Sequence, residues 1–371
     1  MVLQVTQPEL SDRVSSAATE PMKKFEKVKI TINFGGIMMI RIGTAGTNWI
    51  TQQLVEALAL SQQFTLAGIY SRHSETATAF ATKNHAEASY TDYDEMLAQA
   101  KLDAVYIASP NSLHFDQAMA AIAKDISVIV EKPAFSNQRE MIAFKAALAE
   151  HPNVRFFEAA RHVHTPNFKA IETALSGLPT VQGASFTYMK YSSRYDKVLA
   201  GERPNIFTRE FSAGALQDVG VYPIYVAVAL FGQPSHVDLF PTLVETGADG
   251  KGVAILRYGD FDVTVSFGKT SNAYGLSEIY GLKETITIDS AGELTHVEQR
   301  AADGQATDLS QGDLANPMLP EVMDFARVLQ APDDPQNVRD YQRWLQWSLT
   351  VNQVLYSLRV SANLSFPADA H

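Results

Sequence analysis

Four side chains that can bind a ligand or move a proton, Asn111, His114, Glu131 and Lys132, follow two short apolar runs, Ala104 to Ala108 and Ile126 to Val130. Both runs are continuous rather than alternating, as strands buried on both faces of a parallel sheet are, and Ser109-Pro110-Asn111 stops the first. Ser112 is expected to cap the helix between them, where Ala118, Met119, Ile122 and Ala123 recur at helical spacing. Ligands of doubly wound sheets bind beyond the carboxyl ends of the strands, so the four residues should emerge at one rim. Lys132 is the cation to watch there, although a Glu-Lys-Pro tripeptide alone also describes a surface turn. A second pair, Asp218 and Tyr222, is spaced so that on a helix both side chains share a face. Pro223 loosens that geometry by permitting a kink or a helix start. An Asp and a Tyr at this spacing also describe a capped helix and a half-buried ring.

The elements that must position these groups begin at Met39. Strands are expected at Met39 to Gly43 and Phe64 to Tyr70, and helices at Trp49 to Leu60 and Ser74 to Asn84. Between the first strand and helix lies Gly43-Thr44-Ala45-Gly46-Thr47-Asn48-Trp49, placed where a dinucleotide pyrophosphate meets a helix N-terminus. Read from Gly46, the later glycines of a G-x-G-x-x-G pattern have become Asn48 and Thr51; Asn can still adopt left-handed dihedrals. The second strand ends in Ser71-Arg72, with no acid for the adenosine ribose hydroxyls. A serine and a guanidinium suit the extra phosphate of NADP, so NADP is the expected cofactor and NAD a possible one; a solvated Arg beside a helix cap is the plainer alternative.

After the central unit come a helix from Asn137 to Ala149, a strand from Val154 to Glu158 and a helix from about Asn167 to Ser176. Beyond Pro179, runs at Val181 to Tyr191, Val237 to Leu243, Gly252 to Tyr258, Phe261 to Phe267, Ser277 to Tyr280, Glu284 to Asp289 and Leu294 to Gln299 predict an antiparallel sheet. Helices close the chain at Asn316 to Leu329 and Val338 to Ala362, the second with core-type aromatic spacing. The expected division is a non-core extension at 1–37, a Rossmann dinucleotide domain at 38–160 and a substrate-binding and dimerisation domain at 161–371. Because Gly35-Gly36 can be encoded by a bacterial ribosome-binding sequence, synthesis is expected to start at Met38 or Met39.

Pro110-Asn111-Ser112-Leu113-His114 followed by Glu131-Lys132-Pro133 resembles the paired signature of the Gfo/Idh/MocA oxidoreductase family. Gly214-Ala215-Leu216-Gln217-Asp218-Val219-Gly220-Val221-Tyr222-Pro223 resembles its substrate-side motif, in the Tyr version that is similar to dimeric dihydrodiol dehydrogenases. The usual glycine run is here Ser212-Ala213-Gly214. The resemblance implies an N-terminal Rossmann domain with a C-terminal α+β domain on a large, mainly antiparallel sheet. It implies catalysis by Lys132 and Tyr222 with Asp218, and cofactor contacts from Gly43, Gly46, Thr47, Asn48, Trp49, Ser71, Arg72, Ser109, Pro110, Asn111, His114, Glu131 and Lys132. The crossing Glu158-Ala159-Ala160-Arg161-His162 adds Arg161 and His162 as candidate substrate contacts.

Chemistry fits these residue types. Removing a hydride from a carbinol carbon requires its hydroxyl proton to leave. A free Tyr, titrating near about 10, is a poor base unless a cation such as Lys132 favours its phenolate. Asp218 would fix a substrate hydroxyl or orient Lys132, and nicotinamide carries the redox step. The expected activity is oxidoreduction of a small sugar, polyol or cyclic diol. A ligand sensor that binds dinucleotide without turnover is a rival that need not keep all three residues. Another rival takes an acidic substrate clamped by Arg161, Lys190, Arg194 and Arg209, which are equally solvated charges.

With 371 residues, 46% of them hydrophobic, the chain can build two domains. A net charge of −11 with no basic block speaks against nucleic acid or anionic membrane as a partner. No cysteine is present, which excludes disulfides and thiolate metal sites and suits a reducing cytoplasm. His162 and His164 have no carboxylate at metal-ligand spacing, so no metal is expected. A sheet with helices on one face leaves the other to be covered, and the family resemblance likewise implies a homodimer or a dimer of dimers.

Overall fold

A computed structural model describes residues 39–370; the expectations for residues 1–37 and for the start of synthesis lie outside that range. Six strands, β1 (Ile40–Ala45), β2 (Phe64–Tyr70), β3 (Ser89–Tyr90), β4 (Ala104–Ile107), β5 (Ser127–Glu131) and β6 (Phe156–Ala159), form an all-parallel sheet in the order β3-β2-β1-β4-β5-β6. Its crossover helices are α1 (Trp49–Ser61), α2 (Ser74–Lys83), α3 (Tyr93–Gln99), α4 (His114–Ile122) and α5 (Gln138–Ala149). Every residue of β4 and β5 is buried, as continuous apolar runs covered on both faces require. Ser112 does not cap α4. It sits within a 3-10 turn, Asn111–Leu113, that leads into the helix without a side-chain cap.

After α6 (Pro166–Ser176), eight strands make the second sheet: β7 (Gly183–Met189), β8 (His236–Leu243), β9 (Asp249–Tyr258), β10 (Phe261–Gly268), β11 (Ser277–Tyr280), β12 (Thr285–Ile288), β13 (Val297–Arg300) and β14 (Ala306–Asp308). The order is β14-β13-β12-β11-β7-β10-β9-β8, antiparallel except for the β7–β10 pair. Between β7 and β8 lie α7 (Tyr195–Leu199) and α8 (Val221–Phe231). The segment Arg209–Phe231 is long and apolar enough to cross a membrane, but it is largely enclosed by the fold and serves as a core helix. Val263, Val265 and Phe267 alternate inward from β10 and are fully covered within the chain. The opposite face carries Phe240 and Val253, paired across β8 and β9 and exposed at 65% and 38%.

The tail does not pack as a simple part of the second half. In α9 (Leu319–Gln330), Val322, Phe325 and Val328 bury against Ile40, Leu54, Leu58 and Phe157 of the parallel-sheet unit. Phe325 stacks on Phe157 at 4.5 Å, and the Asn316 amide donates to the Gln53 carbonyl at 2.9 Å. The long α10 (Pro335–Ser361) serves both sheets: Trp347, Val351 and Leu358 join the second core, while the Asn352 amide donates to the Phe135 carbonyl.

Candidate active site

The carboxyl edge of the parallel sheet opens into a cleft of about 560 Å³ shared by both halves of the chain. Asn48, Ser109, Pro110, Asn111, Lys132 and Pro133 line it from the loops at the edge of the first sheet; Asp218, Ala213, Phe211 and the strap carrying Arg194, Lys197 and Arg203 to Ile206 line it from the connection between β7 and β8.

On the nucleotide side, Gly46 has φ +121, and a Cβ there would meet the Ala108 carbonyl oxygen at 2.8 Å, so glycine is required. Asn48 is extended rather than left-handed and acts as the cap of α1. Its Oδ1 accepts from the N–H groups of Ile50 and Thr51 at 2.9 and 3.1 Å, while its Nδ2 donates to the Ala108 carbonyl at 2.9 Å. The N–H groups of Thr47, Asn48 and Trp49 find no acceptor among the described residues. This cradle fits a dinucleotide pyrophosphate through backbone donors at a helix start. Trp49, 74% exposed, stands beside it. The Gly46 N–H donates to the Tyr70 carbonyl at 3.1 Å, which brings the loop against Ser71 and the exposed Arg72.

Three expected cofactor contacts are placed elsewhere. Gly43 lies inside β1, where a side chain would strike Leu102 at 2.8 Å, so it serves sheet packing. His114 is fully buried, and its ring lies within hydrogen-bond distance of the Ser109, Pro133 and Ala134 carbonyls, clamping the ends of β4 and β5 together. Burial lowers its affinity for a proton. Glu131 turns inward and accepts from the Tyr106 hydroxyl at 2.5 Å, its carboxyl pushed up by burial. The Ser109 hydroxyl also turns inward, to Gln117 at 2.7 Å, while Asn111 reaches the Ser212 carbonyl at 3.1 Å and ties the two halves across the cleft.

The catalytic candidates converge. The Lys132 ammonium donates to the Asp218 carbonyl at 2.8 Å, lies 3.6 Å from Asp218 Oδ1 and stands 4.5 Å from the Tyr222 ring centroid. Burial disfavours its charge, but Tyr222, Asp218 and Glu131 outweigh burial, and its pKa is pushed up to about 12. Lys132 is therefore an ammonium at neutral pH. Asp218 and Tyr222 are set by a π-helical turn, Leu216–Gly220, running into α8 with Pro223 in its first turn, a wide geometry common at functional sites. Of the short Ser212-Ala213-Gly214 run, Ser212 itself takes the left-handed conformation. Gly214 leaves room for Asp249 Oδ1, which a Cβ would meet at 1.9 Å.

Arg161 also neighbours Tyr222. It pairs with Glu293 at 2.8 Å, Glu293 accepts from the Tyr188 hydroxyl at 3.0 Å, and the Tyr188 ring meets Tyr222 at 5.3 Å. Although burial opposes its charge, Tyr222 and Glu293 raise its pKa. His162 is buried behind Tyr222; its Nε2–H donates to the Tyr222 carbonyl at 3.0 Å, and burial lowers its pKa to about 3. It is a neutral support and no proton donor. Both residues border a separate hollow of about 340 Å³. The four basic residues that could clamp an acid do not converge: Arg194 lines the cleft, Arg161 and Lys190 approach Glu293, and Arg209 lies beside Gly247.

Two residues with no local sequence signal complete the site. Lys269 places its ammonium 2.6 Å from Asp218 Oδ2. Glu158 accepts from the Ala134 N–H at 2.8 Å and from the Tyr225 hydroxyl, joining β6 to α8. Burial pushes its carboxyl up to about 7.

A parallel dinucleotide sheet whose fifth strand delivers a lysine to an Asp and a Tyr at the start of α8 defines a nicotinamide-dependent oxidoreductase acting on a carbinol or carbonyl carbon. Residues 40–159 match the family model described as oxidoreductase family, NAD-binding Rossmann fold. The chain is 38% identical to the uncharacterized oxidoreductase YgjR of Escherichia coli (strain K12), over 90% of this chain and 99% of that protein. It is 36% identical to scyllo-inositol 2-dehydrogenase (NADP(+)) IolU of Bacillus subtilis (strain 168), over 89% of this chain and 99% of that one. In fold it is similar to KijD10, a 3-ketoreductase from Actinomadura kijaniata in complex with NADP and TDP-benzene, with a TM-score of 0.77 at 18% identity over 87% of this chain and 98% of that chain. The chain belongs to the Gfo/Idh/MocA oxidoreductase family.

Proposed function

We propose that this enzyme is an NADP-preferring dehydrogenase of a small cyclic polyol or related sugar, with Tyr222 as the proton-transfer residue. The observation that carries the reading is the meeting of Lys132 and Asp218 in the cleft lining, with the Tyr222 ring 4.5 Å from the Lys132 ammonium. Bound nicotinamide supplies the hydride chemistry. Tyr222 accepts the carbinol proton during oxidation and returns it during reduction, with the Lys132 and Arg161 cations stabilising negative charge on the oxygens. Asp218 accepts a hydrogen bond from a substrate hydroxyl while holding Lys132 in place. Ser71 and Arg72 receive the 2′-phosphate. A neutral polyhydroxylated substrate suits a site whose cations are mostly paired, and the similarity to an NADP-dependent inositol dehydrogenase points the same way.

Nicotinamide absorbance followed across inositols, pentoses, hexoses and cyclic diols tests this directly. Turnover of a cyclic polyol with NADP is expected; a protein that binds NADP yet turns over nothing in the panel would favour the sensor reading instead. We further propose that residues 161–371 carry both the substrate pocket and the subunit contact, and that the protein works as a homodimer or dimer of dimers in a reducing cytoplasm. The Phe240–Val253 face supports this. Light scattering showing only monomer at micromolar concentration would refute it.

A further inference from the structure

Lys269 follows Gly268 at the end of β10 and continues the inward alternation of Val263, Val265 and Phe267, so the fold places an ammonium where it otherwise places core side chains. It is 1% exposed. An ammonium in such a position is costly unless its partners satisfy it. Here they do: Nζ lies 2.6 Å from Asp218 Oδ2, donates to the Ile206 carbonyl at 2.8 Å and sits 4.3 Å from the Phe207 ring centroid. Ile206 and its neighbours Pro204 and Asn205 form a wall of the cleft, and Asp218 forms the next. The carboxylate is thus shared, Oδ2 to Lys269 and Oδ1 to Lys132 at 3.6 Å.

We propose that Lys269 is a positioning residue for the reaction: its ammonium binds the Asp218 carboxylate and the 204–207 wall together, so that Asp218 presents its other oxygen to Lys132 and the cleft. This rests on the oxidoreductase reading of the cleft. The charged groups acting on Asp218 are Lys132 just past β5 and Lys269 just past β10, and Tyr222 acts on Lys132 in turn; Lys269 also acts on the buried Asp249 of β9, whose Oδ2 accepts from the Leu216 N–H at 2.6 Å. Burial pushes the Asp218 carboxyl up, and the two lysines reverse this and leave it lowered, Lys269 contributing more than Lys132. Removing Lys269 therefore lets Asp218 gain a proton at higher pH, and protonated Asp218 no longer pairs with Lys132.

The test compares parent, Lys269→Met and Lys269→Arg, each also combined with Asp218→Asn. In Lys269→Met the acid limb of the kcat/KM profile should move up by about one unit or more, and kcat/KM at neutral pH should fall about tenfold. Lys269→Arg should recover part of the loss. In the Asp218→Asn background, removing Lys269 should change kcat/KM less than about twofold. A folded Lys269→Met enzyme with an unmoved limb, or with equal losses in both backgrounds, reduces Lys269 to a structural prop and overturns the proposal. If the parent itself turns over nothing in the panel, the oxidoreductase reading fails separately, and carbon-13 NMR of Asp218 still decides. Its titration should shift upward in Lys269→Met, and an unshifted titration refutes the role of Lys269. If Lys269→Met does not fold, Lys269→Arg carries the test: a retained charge should keep Asp218 titrating as in the parent, and an upward shift there overturns the proposal.

Discussion

The two walls of the cleft are made differently. The nucleotide wall is built from backbone: Gly46 at positive φ, the capped start of α1 and three N–H groups with no acceptor among the described residues. The other wall is built from side-chain charge, with Lys132, Lys269 and Asp218 in one chain of contacts, while Arg161, Glu293 and Tyr188 form another near Tyr222, at the separate hollow. A backbone cradle depends on a few local residues and accepts any ligand with the same phosphates. A charge network depends on residues far apart in sequence, and each member sets the state of the others.

The largest effect should come from breaking the second wall while sparing the first. Tyr222→Phe should lower kcat by about 10²–10⁴-fold and leave the Kd for NADP within about twofold, because the phenolic oxygen matters chiefly in the transition state. Lys132→Met should also lower kcat, and the double variant should lose far less than the product of the single losses, since both groups serve one proton. A Tyr222→Phe enzyme with kcat within a few-fold of the parent would return Tyr222 to a core role. Stopped-flow kinetics and dinucleotide titration give both numbers.

The join between the walls should show itself in pH-dependent stability. Glu158 keeps its proton in the folded protein up to about pH 7, whereas a free glutamate loses it near 4.5. Between those values the folded state binds the proton and the unfolded state does not. Stability from this group is therefore greatest below that window and falls as pH rises through it, by about 3 kcal/mol in total. Urea unfolding at both ends of the window should show this slope in the parent and lose it in Glu158→Gln; equal slopes would mean that Glu158 is ionised in the fold.

The smallest effect concerns the outer end of the nucleotide wall. Ser71→Asp places a carboxylate where the 2′-phosphate is expected and offers the ribose hydroxyls an acceptor, so the kcat/KM ratio should move toward NAD by about tenfold, or about 1.4 kcal/mol. Equal weakening with both cofactors would show that this loop does not read the phosphate.

The same contrast decides what could be read from residues alone. β2 and β11 occupy the expected positions because alternation, apolar runs and turn residues are local signals. Lys132 was legible as the last word of a βαβ unit, and the Asp218–Tyr222 spacing survived the π turn because both still reach Lys132. Lys269 was not legible, since a lysine after a strand looks solvated until its strand is registered against β7 and β9. His114 looked like a rim residue because nothing nearby in sequence shows that three carbonyls surround its ring. The parallel β7–β10 pairing joins strands far apart in the chain, and the exposed Ala-Thr-Asp of β14 has no apolar alternation to mark it.

The placement of α9 has a consequence for how the molecule comes off the ribosome. The parallel sheet is complete in sequence by Ala159, yet Phe157, Leu54 and Leu58 share their core with a helix that ends at Gln330. During synthesis, α1 and α2 can cover part of that face, but the part that α9 covers waits until the whole second sheet has emerged. A fragment cut after the last parallel strand would carry the nucleotide cradle but leave uncovered the apolar residues that α9 packs on. Supplied in trans as a peptide, the α9 sequence should restore its solubility.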